Sequence, residues 1–184
     1  MYKQIAVEPG DCLIAPPNCP DPRFKNSVVY VWEHGESGTH GVVLNRPTNH
    51  TINEIVDDFG AQGDRTMNWG GPVYPNVVYM LHTDEWGTSR TKIVGDIAHT
   101  SDNRMFEFIK TGNQPDRWEV FFGHASWAPG QLEGELSGTG PWTKGQSWLI
   151  LKSVKAEWVF ETDPENMWDQ AIVDCSKQSV DTWI

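Results

Sequence analysis

Ser27-Val28-Val29-Tyr30-Val31-Trp32, then Gly35-Glu36-Ser37-Gly38, then His40-Gly41-Val42-Val43-Leu44-Asn45 is the stretch that decides the fold class. The first run is rich in β-branched and aromatic residues and reads as a buried strand. The glycine-bounded middle is turn chemistry, and the second apolar run returns as a partner strand. Residues 27–45 therefore read as a β-hairpin. Working outward, Cys12-Leu13-Ile14-Ala15 is a short strand closed by Pro16-Pro17. On the other side, Thr51 and Glu54 have capping-box spacing, and Ile52, Ile55, Val56 and Phe59 repeat as one helical face ending at Gly60. That spacing predicts a helix over 51–60.

Further along, Val77–Leu81, Thr91–Val94, Glu119–Ala125, Trp148–Val154 and Trp158–Phe160 read as strands. Ser101 can open a helix carrying Met105, Phe106 and Ile109 and closed by Gly112. Pro129 can open a short helix through Gln131 to about Leu136, stopped by Gly138. Thr162 and Glu165 again have capping-box spacing, ahead of a last helix near Pro164 with Met167, Trp168, Ala171, Ile172 and Cys175 on one face. The turn-rich stretch Leu136–Ser147, with Trp142, reads as a loop, and the tail Ser176–Ile184 as docked or frayed. Strands and three to four helices alternate irregularly, which is the pattern of an α+β fold in a single domain, 1–184.

Charge narrows the function. Fourteen Lys and Arg stand against 25 Asp and Glu, a net charge of −11. Such a surface repels phosphate backbones, so direct nucleic-acid binding is disfavoured, whereas solubility or a basic protein partner suits it. The three cysteines, an odd number, fit reduced thiols in a cytoplasmic protein. Cys12 and Cys19 have no nearby His pair to make a zinc site. No apolar run approaches the roughly 20 residues of a membrane helix.

No nucleophile elbow, phosphate loop, dinucleotide fingerprint or metalloprotease motif occurs. The six histidines, His34, His40, His50, His82, His99 and His124, have no second ligand at helical spacing and read as structural or solvated. His124 and Ser126 share a strand face, but no third group orients them. No catalytic residue, metal ligand or cofactor is therefore assigned. Two glycine-bearing segments are more informative. Gly70-Gly71-Pro72-Val73 makes a tight bend with accessible backbone. Trp127-Ala128-Pro129-Gly130-Gln131-Leu132-Glu133 sets an aromatic beside a helix start with free N–H groups. Each reads as a packed corner or as the seat of a small ligand or anion. Arg46, at a strand end, can pair internally with Glu33 or Glu133, or fork onto a ligand's carboxylate or phosphate.

An ordered set of segments resembles the YqgE/AlgH family of bacterial proteins. It comprises Leu13-Ile14-Ala15, Asp21-Pro22 with Phe24 and Ser27-Val28-Val29-Tyr30, Glu33-His34, Gly41-Val42-Val43-Leu44-Asn45-Arg46-Pro47, Gly70-Gly71-Pro72-Val73, Leu81-His82, Trp127 with Pro129-Gly130-Gln131-Leu132-Glu133, and Trp168. The set spans about residues 12–175. The resemblance implies a mixed, barrel-like sheet flanked by helices, and a family label of transcriptional regulator that comes from phenotype. Three departures stand out. Gly123-His124-Ala125-Ser126-Trp127 replaces the usual Gly-Tyr-Ala-Gly-Trp, an added loop spans Gly138–Gln146, and the tail differs. They would suit a divergent phage or mobile-element member.

The candidate ligand-binding residues are thus Arg46, Gly70, Gly71, His82, His124, Trp127, Gln131 and Glu133. The expected function is a non-enzymatic regulatory or adaptor protein that binds a protein partner. The alternatives are a small-molecule-binding domain or weak hydrolase, with a site near Gly71, His82, His124 and Gln131, and a direct DNA-binding regulator.

Overall fold

The hairpin forms as β2 (Val28–Gly35) and β3 (Gly38–Val43), paired antiparallel from Val29↔Val43 to Gly35↔Gly38. The computed structural model describes residues 6–139 and 147–181. Around the hairpin run β1 (Cys12–Ile14), β4 (Pro47–Thr51), β5 (Thr66–Trp69), β6 (Val73–Thr83), β7 (Thr91–Val94), β8 (Ile97–Thr100), β9 (Trp118–Trp127) and β10 (Leu149–Leu151). The helices are α1 (Arg104–Lys110), α2 (Gln131–Ser137), α3 (Ala156–Glu161) and α4 (Met167–Asp181). The strands join in one sheet of order β10-β1-β2-β3-β9-β6-β8-β7, with β4 and β5 attached through β9. The β5–β9 pair is parallel and the others antiparallel, so the sheet is mixed. It is curled into a half-barrel, and the fold is α+β.

Alternation along the strands sorts side chains onto two faces. Val28, Tyr30 and Trp32 of β2, with Leu81 of β6 and Phe121 of β9, pack against Val159, Met167 and Ala171 of α3 and α4. On the reverse face, Val29 and Val31 meet Leu132 of α2. Farther along that face, Met80 and Val120 meet Met105, Phe106 and Ile109 of α1. α1 and α2 lie close to the spans expected from their glycine stops.

Two expected elements are different. The helix over 51–60 is instead the end of β4, one 3-10 turn at Ile52–Glu54 and a second at Gly60–Gln62. The capping interaction does form, with Thr51 N–H donating to Glu54 Oε1 at 3.1 Å. One turn does form, with the Ile55 and Val56 N–H groups both donating to the Ile52 carbonyl, and it stops there. Asp58, at φ 53°, is also left-handed. The apolar spacing serves packing without an α-helix: Ile52 and Phe59 are buried while Ile55 is exposed. The second difference is Trp158–Phe160, which is helical within α3 and not a strand. Ala156 and Val159 are its buried pair, at i, i+3 spacing, and Trp158 Nε1 donates to Asp174 of α4. At the next junction Asp163, not Thr162, accepts the N–H of Glu165. Strands β4, β5 and β8 were not anticipated, and β10 is shorter than Trp148–Val154. The loop with Trp142 lies outside the described residues. Among the described residues, no helix is long and apolar enough to cross a membrane.

Candidate functional site

Rings from five strands converge on the face that carries Tyr30 and Leu81. Register puts His99 of β8 opposite Leu81, and Tyr79 is two residues from Leu81, so both side chains share its face. His99 stacks on Trp32 of β2, with centroids 4.2 Å apart and planes 8° from parallel. Tyr79 lies 5.5 Å from His99 and donates or accepts a 3.0 Å bond with His124 Nδ1 on β9. His40 of β3 and Tyr74 of β6 flank His124 at 5.5 and 5.7 Å. Trp32, Tyr79, His99 and His124 are all buried, whereas Tyr74 is exposed and held at φ 46°.

His124 reaches this position through two glycines. A Cβ on Gly71, at φ 151°, would sit 2.2 Å from the His124 carbonyl carbon, and one on Gly70 would sit 2.3 Å from the Gly123 carbonyl oxygen. Only glycine lets the two backbones approach this closely. The Gly70-Gly71 backbone is buried and used. Gly70 N–H donates to Phe122, and its carbonyl accepts from Val43. The accessible backbone expected at this turn is therefore a packed corner.

Burial, the larger cause, and then nearby cations and imidazoles lower His99 to about 3. Burial and then His40 lower His124 to about 4. Both rings are neutral at pH 7. Among the described residues, neither ring nitrogen of His99 has a hydrogen-bond partner. This is a costly arrangement for a buried polar group. Sequence reading missed His99 because β8 is short. Gly95-Asp96 between Thr91–Val94 and Ile97–Thr100 was the available hairpin signal.

The other expected site residues lie elsewhere. His82 belongs to the opposite face, with Nδ1 bonded to the Thr83 carbonyl and Nε2 to the Thr100 hydroxyl, both at 2.8 Å. Burial lowers its pKa. Trp127 and Gln131 bind Glu135: Trp127 Nε1 donates to Oε2 at 3.1 Å and Gln131 Nε2 to Oε1 at 2.9 Å. Trp148 Nε1 donates to the same Oε2 at 2.9 Å. Gln131 also accepts the Ala128 N–H. Glu133 is half exposed, 3.5 Å from His34 Nε2. Arg46 pairs with neither Glu33 nor Glu133. It donates to the carbonyls of Lys25 and Asn45 and to the Ser27 hydroxyl, while Glu33 takes Lys92. Gly71 and His124 are thus brought together, and His82 and Gln131 are not brought to them. Among the described residues, no group of three or more His, Cys, Asp or Glu side chains could hold a metal ion.

A separate groove of about 1020 Å³ opens along β6, between Val77-Val78, the turn Ser101–Arg104, Ile55–Asp57 and α1. Ile55, Val77 and Phe106 give it apolar surface, and Arg90, Arg104, Lys110, Asp57, Asp102 and Glu107 also line it, with Arg104 paired to Asp102 at 2.8 Å. A smaller cavity of about 320 Å³, under Pro75 and Phe122, adjoins it at Ile55, Asn76 and Val78.

Comparison with known proteins places these features. The AlgH-like family model (DUF179) matches residues 12–179. A UPF0301 protein of Pseudoalteromonas translucida is 33% identical over 168 residues, covering 87% of this chain and 86% of the relative. One of Sphingopyxis alaskensis is 33% identical, covering 90% and 87%. The solution structure of the AlgH protein from Pseudomonas aeruginosa superposes with a TM-score of 0.77 at 27% identity, covering 94% of this chain and 92% of that one. A crystal structure from Corynebacterium diphtheriae shares the fold, with a TM-score of 0.71 at 21% identity over 92% of this chain and 87% of that one. With the ordered glycine, histidine and tryptophan segments in their places on a half-barrel sheet, the chain belongs to the YqgE/AlgH family.

Proposed function

We propose that this protein is a regulatory or adaptor protein that acts by binding a protein partner, and not by turnover. The observation that carries the reading is the groove along β6. It is the roomiest of the cavities described above, and it sets exposed apolar side chains, Ile55 and Val77, among polar and charged ones. Exposed apolar surface rimmed by polar groups is the usual composition of an interaction site. The side chains best suited to chemistry support the same reading. His82, Trp127, Gln131 and Glu135 are tied into internal hydrogen bonds, and His124 is held by Tyr79, not by Ser126.

Site-specific photo-crosslinking in the native host tests this. A photoreactive residue at Val77 is expected to give a discrete crosslinked protein, and one at exposed Val173 on α4 is not. Identical products from both positions, or none from Val77, would overturn the reading.

One observation favours a second reading, a small-molecule-binding domain. The orphaned ring nitrogens of His99 beside Trp32 could be satisfied by a small polar heteroaromatic compound. Its test is the imidazole 15N shifts of His99 during titration with such compounds. Shifts that do not move under any of them would end this alternative.

A further inference from the structure

We propose that the free edge of β6 from Asn76 to Tyr79 receives an added β-strand from a protein partner, an extended segment without net charge whose alternate apolar side chains enter the adjoining groove. The proposal rests on the protein-partner reading above and gives that partner a chemistry.

The edge exists because two neighbouring strands differ in length. β6 has 11 residues and β8 has four. Their ladder runs from Thr83↔Ile97 to Met80↔Thr100 and stops. Continued in register, it would set Asp102 opposite Val78. The chain instead turns away there, with the Asp102 carbonyl accepting the Met105 N–H at the start of α1. On its other side β6 pairs with β9 at Val73 and again from Val78, with a register shift between. Among the described residues, Asn76–Tyr79 therefore has no strand on the side where β8 has ended. Among the described residues, Tyr74, Pro75, Asn76 and Val77 find no backbone hydrogen-bond partner outside the β6–β9 pairing. An open edge of this kind is a template for strand addition.

The space beside the edge matches. The groove is lined both by Asn76-Val77-Val78 and by Ser101–Arg104, so it occupies the line that a longer β8 would have taken. Side chains on an added strand would alternate between the groove and solvent. Those facing in would meet Val77 and Ile55, which are 40% and 47% exposed.

Charge selects the occupant. The chain as a whole is at −11, yet the groove balances Arg90, Arg104 and Lys110 against Asp57, Asp102 and Glu107. Arg104 and Asp102 are already paired at 2.8 Å, and the lining has no net charge to offset the desolvation of a charged segment, so a segment without net charge fits best. Pro75, which has no N–H, and Tyr74, with its left-handed backbone, bound the addition at one end. The sheet's terminal strand β7 is a poorer template. It has four residues and carries Lys92, a common protection of edges.

The test uses the full chain and peptides selected on it from a phage-displayed random library. The strongest binder without net charge is titrated while amide hydrogen exchange is followed by NMR. Exchange at the alternate amides of Asn76–Tyr79 that point to the open edge is expected to slow by about tenfold or more at saturation, as for amides newly held in a ladder. Val77→Asp is expected to weaken the peptide about tenfold, roughly the effect of placing a charge against an apolar contact. Val173→Asp leaves binding unchanged, and a dispersed amide spectrum verifies that both variants fold. Protection confined to other residues overturns strand addition and leaves the partner reading standing. The same amides protected in a peptide-free dimer, detected by light scattering, also overturn it in favour of a second copy of this chain. If no peptide protects the edge while Val77 still crosslinks to a partner, strand addition falls alone. If both experiments are blank, both readings fall.

Discussion

His99 shows how one residue can be well packed and poorly satisfied at once. Its ring stacks on Trp32 at 4.2 Å and lies near Tyr79 at 5.5 Å, but both nitrogens are buried without partners. Leaving a buried polar group unpaired costs about 1–3 kcal/mol. A phenylalanine retains an aromatic face against Trp32 and removes both polar atoms. His99→Phe is therefore expected to stabilise the fold by about 1–3 kcal/mol, as a raised urea midpoint with unchanged m-value. A loss of stability would mean that the imidazole is satisfied in solution, which would remove the observation behind the small-molecule reading. Gly71 lies at the other extreme of tolerance, since any side chain there would meet the His124 backbone.

At the scale of elements, α2 is fastened to the sheet by one carboxylate. Glu135 Oε2 accepts from Trp127 of β9 and from Trp148 just before β10, and Oε1 accepts from Gln131 one turn back on α2. Glu135→Ala leaves two buried indole N–H groups without an acceptor, and a loss of about 3 kcal/mol is expected. Glu135→Gln keeps an acceptor oxygen, so its loss should be near 1 kcal/mol. Equal losses in urea melts of the two variants would show that charge, not the acceptor, holds the helix. The sequence made α2 legible, because Pro129, Gly130 and Gly138 punctuate it at both ends. It did not disclose Glu135 as the hub, because Trp127 and Trp148 lie outside the helix at no periodic spacing from it and meet it only in the folded chain. The 51–60 segment failed for a similar reason. Its apolar spacing and capping pair were real, but the backbone turns left-handed at Asp58 and the segment is held to Gly63 and Arg65 instead of extending as a helix. Such long-range pairings leave no local periodicity. The hairpin was legible because the glycine turn and both strands are adjacent in sequence. The ring cluster was not, since Trp32, Tyr79, His99 and His124 meet only once sheet order and register are known.

Acid response is a property of the whole molecule, because several opposing titrations set it. As pH falls from 7, protonation of surface carboxylates moves the net charge from −11 toward zero near pI 4.8 and relieves self-repulsion. That gain is weak and screened by salt. Against it stand two buried imidazoles whose folded pKa values, about 3 for His99 and about 4 for His124, lie below the unfolded value of about 6.5. Between those limits the unfolded chain binds more protons than the folded one, so stability falls as pH falls. The contribution is fully present above about pH 6.5 and is lost progressively down to the folded values. At pH 5 each imidazole accounts for about 2 kcal/mol, and the pair gives a slope approaching about 2.7 kcal/mol per pH unit. Burial lowers His82 as well, which adds in the same direction. The carboxylates held low by Arg and Lys neighbours, at Asp21, Glu33 and Asp102, lose their stabilisation only at lower pH, while Glu119, raised by burial, takes its proton earlier in the folded chain and partly offsets the imidazoles. Urea unfolding from pH 7 to 4.5 at high salt should show that slope. His99→Phe removes one of the two protons from the balance and should lower the slope by about 1.4 kcal/mol per pH unit. A wild-type slope near zero would mean that the unfolded and folded chains take up protons alike, and that the His99 and His124 rings are open to water.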